Sequence, residues 1–203
     1  MGLNKQMDQK TYATLLADGT LRVKCDESNP EAKKREIEKS DGTKQIKFEL
    51  VYSSLSGLIT NLEIEDGTFG EQLRLTITDD GDSTIVTTGA SSNFADDLMK
   101  KLPNVDFLQA VEFKPFSFTN DKGKPQKGIT LVQGDNKLPN FFFDPKTKKS
   151  INEFPELAEN YAEFKKKDWK KHFEGVNQFL IDYTLNVVVP KLPSLVTDDE
   201  VSF

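Results

Sequence analysis

From Lys44 onward the chain alternates apolar and polar residues with a period of two. Ile46, Phe48, Leu50 and Tyr52 share one strand face, with Lys47 and Glu49 on the other. Leu58, Thr60, Leu62 and Ile64 repeat the pattern, and Asp66-Gly67 then turns the chain. Leu73, Leu75 and Ile77 follow with Arg74, Thr76 and Thr78 opposite. The DDGD run at 79–82 predicts a hairpin turn into a strand over 84–88. Upstream, residues 11–24 hold an apolar run, an Asp18-Gly19 turn and a short alternating strand. The stretch 28–41 is charged with little to bury, which predicts a loop or a short exposed helix.

Ser92 or Asn93 caps a short helix that runs through Leu102 and stops at Pro103. Strands over 106–118 and 128–133 follow, joined by the Lys/Gly/Pro loop 119–127, and a last strand covers 138–143. From Pro155 the period becomes helical. Leu157, Tyr161 and Phe164 mark one stripe; Trp169, Phe173, Val176 and Leu180 mark another, offset by one residue, as in one kinked helix or two. An apolar strand over 185–189 ends at Pro190, and no core pattern remains after Leu192. These elements predict a mainly β protein with a small closed or half-closed barrel, an inserted short helix and an appended helical segment. They divide the chain into a body over 1–150, a helical extension and terminal strand over 151–190, and a flexible acidic tail over 191–203.

The 203 residues hold one cysteine, Cys25, and one histidine, His172, which excludes an intramolecular disulfide and a Cys/His zinc site. No run is apolar enough to span a membrane. MGLNKQMDQK lacks the apolar stretch of a signal peptide and has Gln6 where myristoylation takes Ser or Thr. The expected location is the cytoplasm (of the host, if the chain is phage-encoded), with no membrane partner. The net charge of −6 argues against a polyanionic partner until it is divided along the chain. Residues 61–99 carry nine acids against Arg74 alone, whereas 112–150 carry eight lysines against four acids. Binding responds to the local field, so the second stretch stays a candidate.

Two chemistries compete for that stretch. Asp106, Glu112 and Lys114 spell D-x5-E-x-K, the outline of a metal-dependent nuclease. On one strand, however, Asp106 and Glu112 stand ~20 Å apart and cannot share an ion. The DDGD run lacks the acid spacing of a calcium loop, and no phosphate-cradling glycine motif occurs. No catalytic residue, metal or cofactor is therefore expected. The binding reading draws on fifteen phenylalanines, several beside lysines. With Val111 and Phe113 inward, Lys114, Phe116 and Phe118 share the outward face with Glu112. Rings for bases and cations for phosphates are what single-stranded nucleic acid requires. Lys122, Lys124 and Lys127 extend the set as a flexible arm, and Lys137 adds a further cation. Phe141, Phe142 and Phe143 are consecutive, so a strand there points them to both faces.

The chain ends Thr197-Asp198-Asp199-Glu200-Val201-Ser202-Phe203. This resembles the acidic, phenylalanine-terminated tip of bacterial and T7-type phage single-stranded-DNA-binding proteins. The resemblance covers seven residues, and Asp198, Asp199, Glu200 and Phe203 carry it. It implies an OB-fold-like small barrel that binds single-stranded DNA in replication, recombination or repair, with a disordered acidic tail that recruits partner proteins. The longer, more acidic body and the helical segment before the tail suit a bacteriophage variant better than a bacterial one. A Phe-rich adaptor that binds another protein is the alternative. Oligomeric state is not set by the sequence, a homodimer being one form open to it.

Overall fold

The computed structural model describes residues 10–39, 41–68 and 70–193. In chain order the strands are β1 (Lys10–Leu15), β2 (Leu21–Lys24), β3 (Lys33–Glu38), β4 (Lys44–Tyr52), β5 (Leu55–Gly67), β6 (Gly70–Asp79) and β7 (Asp82–Gly89). Helix α1 (Asn93–Met99) intervenes before β8 (Val111–Thr119), β9 (Pro125–Gln133) and the two-residue strands β10 (Asn136–Lys137), β11 (Phe143–Asp144) and β12 (Lys149–Ser150). Helix α2 (Lys166–Tyr183) follows.

Among the described residues, β1 to β10 form one open sheet in the order β10-β9-β8-β5-β6-β7-β1-β2-β4-β3. All neighbours are antiparallel except β1 and β7. The mainly β class stands, and the expected barrel closure does not. β10 offers two residues of ladder, and β3 is an edge of lysine, arginine and glutamate, so neither end presents a complementary row for pairing.

The sheet nevertheless curls around one core. Ala13, Leu15, Leu21, Ile59, Leu75, Ile77, Phe113, Ile129 and Leu131 meet inside it, and Phe94, Ala95, Leu98 and Met99 of α1 cover them. The turn between β1 and β2 reaches β8. Gly19, at φ +80°, lies so close that a Cβ there would stand 2.8 Å from the Phe116 carbonyl carbon and the Ser117 nitrogen. Ser92 caps α1, its Oγ accepting from the Ala95 amide at 3.1 Å. No helix among the described residues is long and apolar enough to cross a membrane.

Several expectations fail for physical reasons. The charged stretch 28–41 holds β3, which pairs along its full length with β4 through Lys33↔Glu49 to Glu38↔Lys44. Cross-strand partners, Arg35 with Glu49 and Lys44 with Glu36 among them, supply what burial does not. The strand expected over 106–118 begins only at Val111, because Asp106 builds a turn by accepting from the Leu108 amide and the Gln109 side chain. Of the expected strand over 138–143 only Phe143 falls in a strand, paired with Ser150, while the Leu138 amide donates to the Leu131 carbonyl at the end of β10. Between Leu138 and Phe143 the backbone is drawn off elsewhere: the Phe141 amide donates to the Lys100 carbonyl and the Phe141 carbonyl accepts from Asn152. Phe142 is 1% exposed, and its ring centre lies 5.0–5.5 Å from those of Phe141, Phe154, Phe179 and Tyr183.

The helix expected from Pro155 starts later, at Lys166, where Asp168 accepts from the Lys165 amide. Leu157 and Tyr161 lie outside it, exposed. The apolar run 185–189 is no strand. It continues α2 as a widened π-helical turn, Thr184–Val188, then a 3-10 turn, Val189–Lys191. Burial there follows Leu180, Thr184 and Val188, a spacing of four, where a half-buried strand would alternate.

Candidate nucleic-acid interface

β8 takes the expected phase. Val111, Phe113 and Pro115 are buried, and Lys114, Phe116 and Phe118 lie on the opposite, outward face. Proline inside a strand needs an unused amide position. The Ile129 amide, opposite Pro115, donates to Asp97 Oδ2 at 2.6 Å, and its carbonyl accepts from Lys101 Nζ. Both Ile129 groups therefore point away from β8, so Pro115 lies in a non-hydrogen-bonded pair with its nitrogen turned toward the β5 side. β5 pairs with β8 only through Val111–Phe113, so Pro115 interrupts no ladder bond. The register runs unbroken from Glu112↔Val132 to Thr119↔Pro125, and the aromatic face carries no bulge.

On that face the Phe116 and Phe118 rings stand 5.8 Å apart with a 35° tilt. Phe118 is 55% exposed. Phe116 is half-buried, its ring tip lying over Gly128. Lys114 is exposed and forms an ion pair at 2.6 Å with Glu112, two residues along the same face. Register also brings Lys137 there, since it pairs with Val132, which pairs with Glu112.

The basic loop divides. Lys122 and Lys124 are exposed at its tip. Rather than a free arm, the tip is a hydrogen-bonded turn. Asn120 Oδ1 accepts from the Lys122 and Lys124 amides at 3.0 and 2.9 Å, and the Asn120 amide donates to the Lys124 carbonyl. Lys127 pairs with Ser117 and so faces the side opposite Phe116 and Phe118. The structure thus gathers Lys114, Phe116, Phe118 and Lys137 on one face, sets Lys122 and Lys124 at its end, and leaves Lys127 behind it.

Sequence reading missed a second basic face. Arg22 and Lys24 of β2, Lys47 of β4, and Lys33 and Arg35 of β3 share the outward side of that end of the sheet by register. At their centre Glu49 is buried. Arg35 grips it with two bonds of 2.8 and 2.7 Å, and Arg22 approaches to 3.5 Å. The Arg35 hydrogen bonds hold the Glu49 carboxyl below the usual carboxylate range, and Glu49 in turn raises Arg35. Burial alone would raise Asp18, but hydrogen bonds from Thr20 and the Arg22 guanidinium bring it below its ordinary value. Asp18, which Arg22 holds at 3.0 Å, belongs to the turn whose Gly19 touches the Phe116 backbone of β8. The charge alternation KKREIE was the available signal, but only the β3–β4 register shows which residues share a side.

A groove of about 800 Å³ crosses β5, β6, β7 and β1 and is bordered by Val189, Leu192 and Pro193. Its Arg74 is committed to Glu65 at 2.6 Å and to Glu63 at 3.9 Å, and Lys10 and Arg74 together only match the two acids. It offers a polyanion no surplus cation. The D-x5-E-x-K residues are likewise separately engaged: Asp106 on Leu108 and Gln109, Glu112 on Lys114. Among the described residues no three His, Cys, Asp or Glu side chains cluster as a cation site would require. Asp198, Asp199, Glu200 and Phe203 lie outside the described residues. No family model matches the chain, and no curated protein is significantly similar to it.

Proposed function

We propose that the chain binds single-stranded DNA along the outward face of β8, β9 and β10, and does so without catalysis. The observation that carries the reading is the outward pair Phe116 and Phe118, 5.8 Å apart, on a strand with Lys114 and beside Lys137. Exposed rings stack bases at ~1–3 kcal/mol each, and lysines neutralise phosphates. The curled sheet serves as an opened, OB-like body. Its role is to coat and protect strands exposed in replication, recombination or repair, in a phage setting. Recruitment of replication and recombination proteins falls to Asp198, Asp199, Glu200 and Phe203, and rests on the resemblance of residues 197–203 alone.

Fluorescence anisotropy with labelled oligothymidylate and a matched duplex tests this. Single strand should bind more tightly, and Lys122→Ala with Lys124→Ala should flatten the plot of log K against log salt by ~0.7 for each phosphate no longer neutralised. Lys127→Ala, on the other side, should leave the slope unchanged. Equal affinity for duplex, or no binding at low salt, refutes the proposal.

A further inference from the structure

The apolar stripe of α2 runs past the body that it packs on. Its second half is buried: Val176, Leu180 and Ile181 enter the core, and Asn177 donates to the Ala90 carbonyl at 2.9 Å. The first half, Lys166 to Gly175, is mostly exposed, with His172 and Phe173 bordering a cleft shared with Asn93, Asp96 and Lys100 and with Phe154. Only Trp169 and His172 there are even half-buried. Trp169 and Phe173 continue the stripe of Val176 and Leu180 at helical spacing. Beyond the body's edge their aromatic partners are one another, Phe164 and His172. Trp169 stacks on Phe173 at 5.8 Å and 24°, and Phe164 meets Trp169 edge-on at 5.3 Å. Phe173 is 60% exposed.

The start of α2 carries Lys165, Lys166, Lys167, Lys170 and Lys171, five cations in seven residues of a chain whose net charge is −6. Lys165, Lys166 and Lys170 lie three or four residues before a ring and flank the stripe, while Lys167 and Lys171, two residues from Trp169, lie on the other side of the helix. Glu163 lies just before Phe164, and Asp96 of α1 is paired with Lys100. Of the two acids within Lys166–Gly175, Asp168 is occupied capping the helix, and Glu174 pairs at 3.6 Å with Lys170. The other four lysines have no ion-pair partner among the described residues. Lys166 lies three residues before Trp169, and Lys170 three before Phe173, so each ring has a cation beside it on the helix surface.

We propose that this overhang of α2 is a second contact for the same single strand, Trp169 and Phe173 stacking bases and Lys165, Lys166 and Lys170 holding phosphates. The inference rests on the reading of the β8 face as a single-strand site. Three observations favour nucleic acid. The overhang repeats the composition of the β8 face, exposed rings interleaved with lysines. The two faces are linked through α1: Asp97 and Lys101 hold Ile129 of β9, and the Asn177 side chain ties α2 to Ala90, just before α1. A helix lying in an anionic membrane needs its apolar side free along its length, whereas Val176, Leu180 and Ile181 are already inside the protein.

Trp169 is the only tryptophan in the chain, so its emission reports on this site alone. Oligothymidylate of ~30 nucleotides, long enough for more than one site, is titrated into the full chain. Anisotropy of a label on the DNA and Trp169 emission are read together. Binding should quench Trp169. The Lys165→Ala, Lys166→Ala, Lys170→Ala variant, with an unchanged circular dichroism melt, should lose that quench at equal DNA concentration. Its salt slope should fall by ~2, from ~0.7 per phosphate neutralised. Phe118→Ala, at saturating DNA, should keep the quench. If the strand binds with Trp169 emission unchanged and the triple variant binds like the parent, the overhang does not touch DNA, while the β8 reading survives. If anisotropy shows no binding, both fall. A blue shift of Trp169 on anionic vesicles, with DNA leaving it unchanged, also overturns the proposal in favour of a membrane surface.

Discussion

Phe118→Ala separates a ring that binds from a ring that packs. The residue is 55% exposed, so a little under half of it is shielded, and the Phe116 ring lies 5.8 Å away. Full burial of a phenylalanine stabilises by ~1.5–3 kcal/mol, so the variant should lose about 1 kcal/mol of fold stability. If the ring stacks a base, the same change costs ~1–3 kcal/mol of binding, a roughly 5- to 150-fold rise in Kd. Phe113 provides the contrast. It lies on the inward face of the same strand at 1% exposure, and Phe113→Ala should cost ~3–5 kcal/mol of stability. Urea unfolding supplies the first quantity, and anisotropy with labelled oligothymidylate at fixed salt the second. A Phe118→Ala protein that is folded and binds within twofold of the parent would refute the stacking argument. A stability loss near that of Phe113→Ala would show instead that the ring is structural.

Gly128→Ala should destabilise by ~2–4 kcal/mol, because its Cβ would overlap Asp97 Oδ2 and sit 2.8 Å from the Phe116 ring tip, adding overpacking to a strained charged hydrogen bond at Ile129. A loss below ~0.5 kcal/mol in urea would mean that α1 yields there freely. Glu49→Gln should cost ~2 kcal/mol at pH 7, where the carboxylate accepts charge-assisted bonds from Arg35. The folded carboxyl lies below its ordinary value of ~4.3, so this stability is fully present above ~pH 5 and is lost as pH falls through the folded value. Asp18 is lowered too, but it is common to both proteins, so the parent-minus-variant difference isolates Glu49. A difference that does not shrink in acid refutes the assignment.

Alternation was legible in β6, whose Leu73, Leu75 and Ile77 are buried opposite Arg74, Thr76 and Thr78, because burial itself writes the period. It was broken in β5 by a bulge between Ile59 and Asn61, which puts Ile59 in the core in place of Leu58. In β4 the buried residue is Glu49, while Ile46 and Tyr52 are exposed. Alternation failed at β3, an edge whose cross-strand charge pairs replace burial and so leave no apolar trace. It failed again at 185–189, where a short unbroken apolar run suits a buried helix and a buried strand alike. At the site, the phase of Phe116 and Phe118 followed from Val111 and Phe113 alone. The side taken by Lys127 did not, since it depends on β9 beginning at Pro125, inside what composition presents as a loop. The grip of Arg22 and Arg35 on Glu49 joins three strands, and no local pattern encodes such a register.

The net charge of −6 is reconciled with a polyanionic ligand by where the acids lie. Asp96 and Asp97 of α1 are paired one turn on with Lys100 and Lys101 at 2.6 and 2.7 Å. Glu63 and Glu65 share Arg74 on the outer face of β5 and β6. β5 meets β8 at Leu55–Gly57, six or more residues before Glu63, which is ~20 Å along the strand. At physiological ionic strength the screening length is ~8 Å, so a phosphate on the β8 face is separated from those carboxylates by more than two such lengths. Lys114, Lys122, Lys124 and Lys137 are nearer to it, and of these Lys114 alone has an ion-pair partner among the described residues. The field that the proposed ligand would meet at β8 is therefore set by these lysines together with Glu112, Asp121 and Asp135 of the same stretch. The acids of β5 and β6 act on the molecule's overall charge without occupying the same surface.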